Sequence, residues 1–344
     1  MTLRALALAC ALAALAAPAA AQKAYKAPRN AAGQPDLQGT WTNATITPLV
    51  RPAKFGERNV LTREEAEAQE QATRDQVARA DAPTPPDLKV TELRNADCGP
   101  DGISGFNCGY NQGWKDPGDT VIDFNGEKRA SILVEPANGQ FPPLKPGVER
   151  RRFGGPGSLD GPEARGLGER CILSFGSSAG PPMLPLMYNN TYQIVQTRDA
   201  VIIEVEMVHD TRIVRLNAKH HPSNIRTWMG DSIGWWEGET LVIATINMRP
   251  EQGLRGGSGN QKVTEWLTRI SPTTIKYRFR VEDPDYYAAP YAGEVAFRAT
   301  KGPIYEYACH EGNYAMAGIL AGAREAEKAG KDPALGVGRD EGSN

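Results

Sequence analysis

Between residues 188 and 308, apolar and polar side chains alternate in short runs separated by turn signals. TTIKYRFRV shows it most cleanly: Ile275, Tyr277, Phe279 and Val281 fall on one face and Lys276, Arg278 and Arg280 on the other. A period of two with one apolar face marks a half-buried antiparallel strand. Comparable runs are YQIVQT, AVIIEVEMV, TRIVRL, a segment near IRTW, IGWWE, TLVIATIN, KVTEWLTRI, GEVAFRAT and IYEYA. About ten strands in about 120 residues, with no helical period between them, predict a mainly β protein. The expected architecture over 188–311 is an antiparallel up-and-down meander closing into a barrel or a strongly curved sheet, with a β-sandwich as the alternative.

The pattern before residue 150 is different. LTREEAEAQEQATRDQVARA places Thr62 and Glu65 at capping-box spacing and continues in good helix formers, which predicts a surface helix over about 63–80. APTPPDLK breaks the chain, and TVIDFNGEKRASILVEP reads as a hairpin about Asn125-Gly126. Residues 22–150 are therefore expected to form an N-terminal arm lying on the barrel, and 151–187 a Gly-rich linker. NYAMAGILAGAREAEKAGK predicts a C-terminal helix over 312–330, and 331–344 read as a disordered tail. Gly39 and Trp41 in DLQGTW resemble the G-x-W of the first lipocalin strand, where the Trp plugs one end of the barrel. That resemblance implies a lipocalin-like barrel with an early strand built into it.

Residues 1–21 carry Arg4, an Ala/Leu run and a small-residue ending before Gln22, the layout of a cleaved secretory signal. The expectation is a periplasmic or secreted protein. No later stretch approaches the roughly 18 apolar residues of a membrane span. Export removes Cys10 and leaves Cys98, Cys108, Cys171 and Cys309, an even number that predicts two disulfides in an oxidising compartment. Three connectivities are open. The short loop CGPDGISGFNC makes Cys98–Cys108 the easiest closure, which leaves Cys171 to join Cys309. Zinc is the rival reading of these cysteines, but no C-x-x-C pair exists, so neither metal nor cofactor is expected. The chain holds 39 Lys and Arg against 41 Asp and Glu, and this slightly acidic balance gives no electrostatic footprint for nucleic acid.

Candidate chemistry centres on the histidines. Of four in the chain, His209, His220 and His221 fall in MVHDTRIVRLNAKHH, and the fourth is His310 in CHEGNY. At about 3.3 Å per residue, TRIVRL separates His209 from His220 by roughly 20 Å, so one metal cannot bind both. If Asn217-Ala218 is a two-residue turn and 219–237 holds two strands, the short turns collect at one end of the meander. The other end then gathers His209-Asp210, Asp231, the long loops 248–261 and 283–291, and His310-Glu311, a scaffold with a functional mouth. Trp228, Trp235, Tyr286, Tyr287 and Arg255 are the candidate ligand contacts there. In its catalytic form the mouth would use His209 as general base oriented by Asp210, with His310 or Glu311 as acid and Asp231 nearby. Glu204 and Glu206 also share a strand face at a spacing that suits paired carboxylates.

The longer runs PDLQGTW, RASILVEPANGQFPPL, YNNTYQIVQT, EMVHDTRIVRL, GDSIGWWEGETLVI and GPIYEYACHEGNY resemble a widespread group of exported bacterial proteins. Glu239 stands where that pattern has Asp. The resemblance implies export and brings no activity with it. Three function classes stay open: a cofactor-independent lyase, isomerase or hydrolase acting on a small aromatic or terpenoid molecule, a periplasmic small-molecule carrier, and a structural envelope protein. Two titratable groups facing across a cavity would favour the first, and an apolar cavity the second.

Overall fold

The computed structural model describes residues 25–81, 115–149, 157–174, 180–252 and 256–330. The N-terminal arm holds β1 (Gly39–Thr42), α1 (Arg63–Ala80), β2 (Asp123–Phe124), β3 (Glu127–Lys128) and β4 (Leu133–Glu135). The capping box is present: Thr62 Oγ1 accepts from the Glu65 N–H, and the Glu65 carboxylate accepts from the Thr62 N–H. β2 and β3 pair about Asn125-Gly126, as the sequence predicts.

The second half supplies β5 (Thr191–Gln196), β6 (Ala200–Val205), β7 (Thr211–Leu216), β8 (Asp231–Glu237) and β9 (Thr240–Ile246). β10 (Lys262–Ser271), β11 (Thr274–Glu282) and β12 (Tyr291–Ala299) follow, and α2 (Tyr314–Lys328) is the last element of the described residues. The strands run in the order β1-β5-β6-β7-β8-β9-β10-β11-β12, and β1 also pairs with β12 through Trp41–Ala299 and Thr42–Arg298. The sheet is therefore a closed nine-stranded barrel, with β4 added beside β12. Closure depends on β1, so the arm is part of the barrel as well as a cover for it.

Alternation fills the interior. Tyr192, Ile194, Val201, Ile203, Val205, Val214, Leu241, Ile243, Val263, Leu267, Tyr277, Phe279 and Phe297 are at most 2% exposed. Removing such side chains from water is the main driving force for closure, at about 25 cal/mol per Å². Trp41 is 1% exposed, donates Nε1–H to the Leu37 carbonyl at 3.0 Å, and carries the Arg269 guanidinium 5.4 Å from its ring. Its neighbours Leu37 and Arg269 place the buried ring toward the end where the 272–273 turn lies.

Three expectations are corrected. First, Asn217-Ala218 is not a hairpin turn and no strand forms near IRTW. Asn217 has the left-handed backbone such a turn needs, but the chain runs on through 217–230 and β8 lies parallel to β7. Gly234 makes this approach feasible, since a Cβ there would sit 2.8 Å from Val214 Cγ1. A crossover of a dozen or more residues is what a parallel pair requires. Second, IYEYA is an extended segment outside the sheet. Third, the described parts of the expected 151–187 linker, 157–174 and 180–187, are more than a linker, because Leu173, Met183 and Leu184 belong to the main apolar core. Cys171 is bonded to Cys309 across 138 residues, with Cα atoms 5.7 Å apart. Cys98 and Cys108 lie outside the described residues.

Candidate functional site

The crossover has a functional consequence. Because 217–230 carries the chain back from the short-turn end, β8 starts at the same end as β7, and every later strand keeps the direction the two-strand reading required. The turns at 197–199, 238–239 and 272–273 stay at one end, and the described connections 247–252, 256–261 and 283–290 lie at the other with His209. The predicted asymmetry of ends is present, produced by a crossover in place of an extra strand.

At His209 the backbone is unusual. β6 ends at Val205, and Val208 (φ 59°) and His209 (φ 44°) are consecutive left-handed residues. For non-glycine residues, a β-branched one included, this costs on the order of 1–3 kcal/mol each. Buried Met207 and Val208 hold the turn against the core, and the exposed imidazole lines a cleft on the outer wall. The cleft measures about 630 Å³. Its floor is a row across three paired strands: Thr40 opposite Gln193, and Gln193 opposite Glu204. The facing wall is Gly302, Pro303, Ile304, Tyr305 and Glu306, part of the extended segment that returns from the end of β12. Two carboxylates and one imidazole thus line one open cleft.

Glu206 does not pair with Glu204 on a strand face. It leaves β6, is 6% exposed, accepts from Asn189 Nδ2 at 2.6 Å, and takes the Tyr305 N–H at 3.3 Å. This buried carboxylate positions the facing wall. Neither Thr40, Gln193 nor the 302–306 wall was singled out in the sequence. The registers that align the row are long-range, and IYEYA has the composition of a strand.

The other candidates separate. Among the described residues no hydrogen bond joins Asp210 to His209. Asp210 instead accepts the Ser174 N–H at 2.9 Å, and burial pushes its carboxyl up to about 6 against the lowering effects of that bond and of nearby His209. Asp231 serves neither His209 nor His310. Its carboxylate takes Arg215 Nη2 at 2.7 Å, His220 Nδ1 at 3.0 Å and the His221 N–H at 2.6 Å. Burial alone would raise its pKa, but these donors outweigh burial and hold it below the usual range. The cluster ties the crossover to the start of β8. His310 and Glu311 sit exposed in the turn after Cys309 and do not line the cleft.

The aromatic candidates are mostly core. Tyr286 and Tyr287 are 7% and 4% exposed, and Tyr287 packs edge-on to Tyr291 and Tyr286. Trp228 packs against the core under the Arg249 guanidinium, 4.4 Å from its ring. Trp235 donates to Glu237 on the outer wall. Arg255 lies outside the described residues. No group of three or more metal-ligating side chains occurs among the described residues.

A buried charge pair lies apart from the cleft. Arg212 and Glu265, 2% and 0% exposed at the side chain, meet inside the barrel through two contacts, one at 2.9 Å, and Tyr277 Oη donates to Glu265 at 2.8 Å. The signal was there: Arg212 alternates with Val214 and Leu216, and Glu265 with Val263 and Leu267, so both fall on inward positions. No family model matches the chain, and no curated protein matches it.

Proposed function

We propose that the protein binds a small polar molecule in the wall cleft between the Thr40–Gln193–Glu204 row and residues 302–306. The observation that carries this reading is the convergence of Glu204, Glu306 and His209 on one cleft of about 630 Å³, a volume suited to a small ligand. The barrel interior is occupied by side chains, which argues against a carrier that encloses its ligand there. Glu204 and Glu306 favour a ligand with positive charge or several hydrogen-bond donors, and Pro303, Ile304 and Tyr305 offer it apolar contact. The Cys171–Cys309 bond supports an oxidising, extracytoplasmic setting, as does the leader-like 1–21 segment.

A second reading is favoured by His209 itself. An imidazole held by two left-handed residues beside carboxylates is equipped for proton transfer, and would make the cleft a lyase, isomerase or hydrolase site without a cofactor. Isothermal titration with putrescine, choline and benzylamine, against neutral phenol, tests the first reading. Binding of an amine that weakens about tenfold in Glu204→Gln supports it, since a charge-assisted contact is worth about 1.5–3 kcal/mol. Amine binding unchanged in both Glu204→Gln and Glu306→Gln contradicts it. His209→Gln separates the two readings, because binding survives in both while turnover is lost only if His209 moves a proton.

A further inference from the structure

We propose that the Cys171–Cys309 disulfide is a latch that holds residues 300–308 as the removable wall of the cleft, so that reduction by a dithiol opens the site. This rests on reading the cleft as the functional site.

The two halves of the latch are unequally anchored. Cys171 is 9% exposed and is followed by Leu173, 2% exposed in the main core, and by Ser174, whose N–H is bound to Asp210. The Cys309 side is held thinly. Along the strap, the Thr300 N–H bonds the Thr40 carbonyl at 3.0 Å, the Tyr305 N–H meets Glu206, and the Tyr307 ring stacks on Tyr188 with centroids 6.5 Å apart. Lys301, Gly302, Pro303, Tyr305 and Glu306 are exposed, and no side chain from 300 to 308 is buried.

Beyond the bond, the chain is tied back mainly by polar contacts. Asn313 Nδ2 donates to the Glu169 carbonyl, and Arg324 donates to the carbonyls of Leu159 and Asp160. Ala323 is the one buried residue of α2. Tyr307 is the strap's one aromatic contact with the main core, and the strap's few hydrogen bonds are part-buried; a segment with so little buried apolar surface opens locally at low free-energy cost. The covalent bond is what converts such a segment into a fixed wall.

The chemistry balances with a dithiol as reductant. Its thiolate attacks one sulfur of the bond and forms a mixed disulfide, and its second thiol resolves this. The Cys171–Cys309 pair gains two electrons and two protons, and the reductant leaves as its own disulfide. Cys309 is the more exposed residue of the pair, Cys171 being 9% exposed and next to the core.

Hydrogen exchange read by mass spectrometry tests the latch without any ligand, so its failure is distinct from failure of the binding reading. Peptides covering 300–309 are compared in the oxidised protein, after dithiothreitol, and in a Cys171→Ser, Cys309→Ser double variant. The double variant isolates this bond from Cys98 and Cys108. The expected result is exchange on the order of tenfold faster in 300–309, as loss of a tether lowers effective concentration, with β9, β10 and β11 unchanged. If the double variant does not fold, the reduced wild-type protein carries the comparison. Unchanged exchange in 300–309 overturns the proposal, and so does equal acceleration in the barrel strands, which would make the bond a staple of the whole fold.

Discussion

Arg212 and Glu265 show how much a single inward position can carry. Each charge is buried in the barrel, and each is tolerable only because the other is there. Breaking such a pair leaves an uncompensated buried charge, which costs about 3–5 kcal/mol. Glu265→Gln should therefore lower the denaturant midpoint sharply, and Arg212→Met with Glu265→Leu should recover most of the loss. A double variant as unstable as the single one would show that the pair's contribution lies elsewhere. Asp210 makes a prediction of opposite kind. Its folded-state pKa, about 6, lies above the unfolded value near 3.9. The folded state therefore binds the proton more tightly, and this stabilisation, complete below about pH 4, is lost as pH rises to about 6. Asp210→Asn should flatten the stability profile over that window, by on the order of 1 kcal/mol after allowance for solvent. Chemical denaturation at a series of pH values reads it directly, and an unchanged slope would contradict it.

Among the elements, strands with regular alternation were legible and the connections were not. TTIKYRFRV became β11 (Thr274–Glu282) and the capping box fixed the start of α1, since both signals are local. The 217–230 crossover was missed because Asn217 satisfies a tight turn locally, while the parallel pairing is decided by distant groups. Gly234 gives room for β7, and Asp231 gathers Arg215, His220 and His221. Asp231→Asn keeps the shape but loses the charge that answers Arg215. It should speed amide exchange in 217–230 more than in β10 or β11, and cost about 1–3 kcal/mol. Because the folded-state pKa of Asp231 is lowered, its contribution is present above the unfolded pKa near 3.9 and disappears as the solution is acidified below it. Exchange in 217–230 that does not respond to this change would remove Asp231 from its place as the anchor.

For the whole molecule, the same contrast separates scaffold from site. The barrel and the asymmetry of its ends could be read from alternation and loop length, and the Cys171–Cys309 pairing from cysteine arithmetic. The cleft could not, because Thr40, Gln193 and Glu204 are aligned only by registers joining residues far apart in sequence, and the strap that faces them looks like one more strand. His209 was found for its rarity, while its expected partners Asp210, Asp231 and His310 are engaged or placed elsewhere. Closure through β1 also predicts that deleting residues 25–43 opens the barrel, seen as loss of cooperative unfolding, because β5 would become an unpaired edge and β12 would keep only its short pairing with β4 on that side. The proposed binding site is the wall cleft. The most direct measurement is a ¹H–¹⁵N NMR titration of the oxidised protein with the amine that binds in calorimetry. Binding in the wall cleft gives shift changes confined to Thr40, Gln193, Glu204, His209, Gly302 and 304–306, and their loss in Glu204→Gln. Shifts centred instead on the 256–261 and 283–291 loops, with the cleft residues silent, would contradict it.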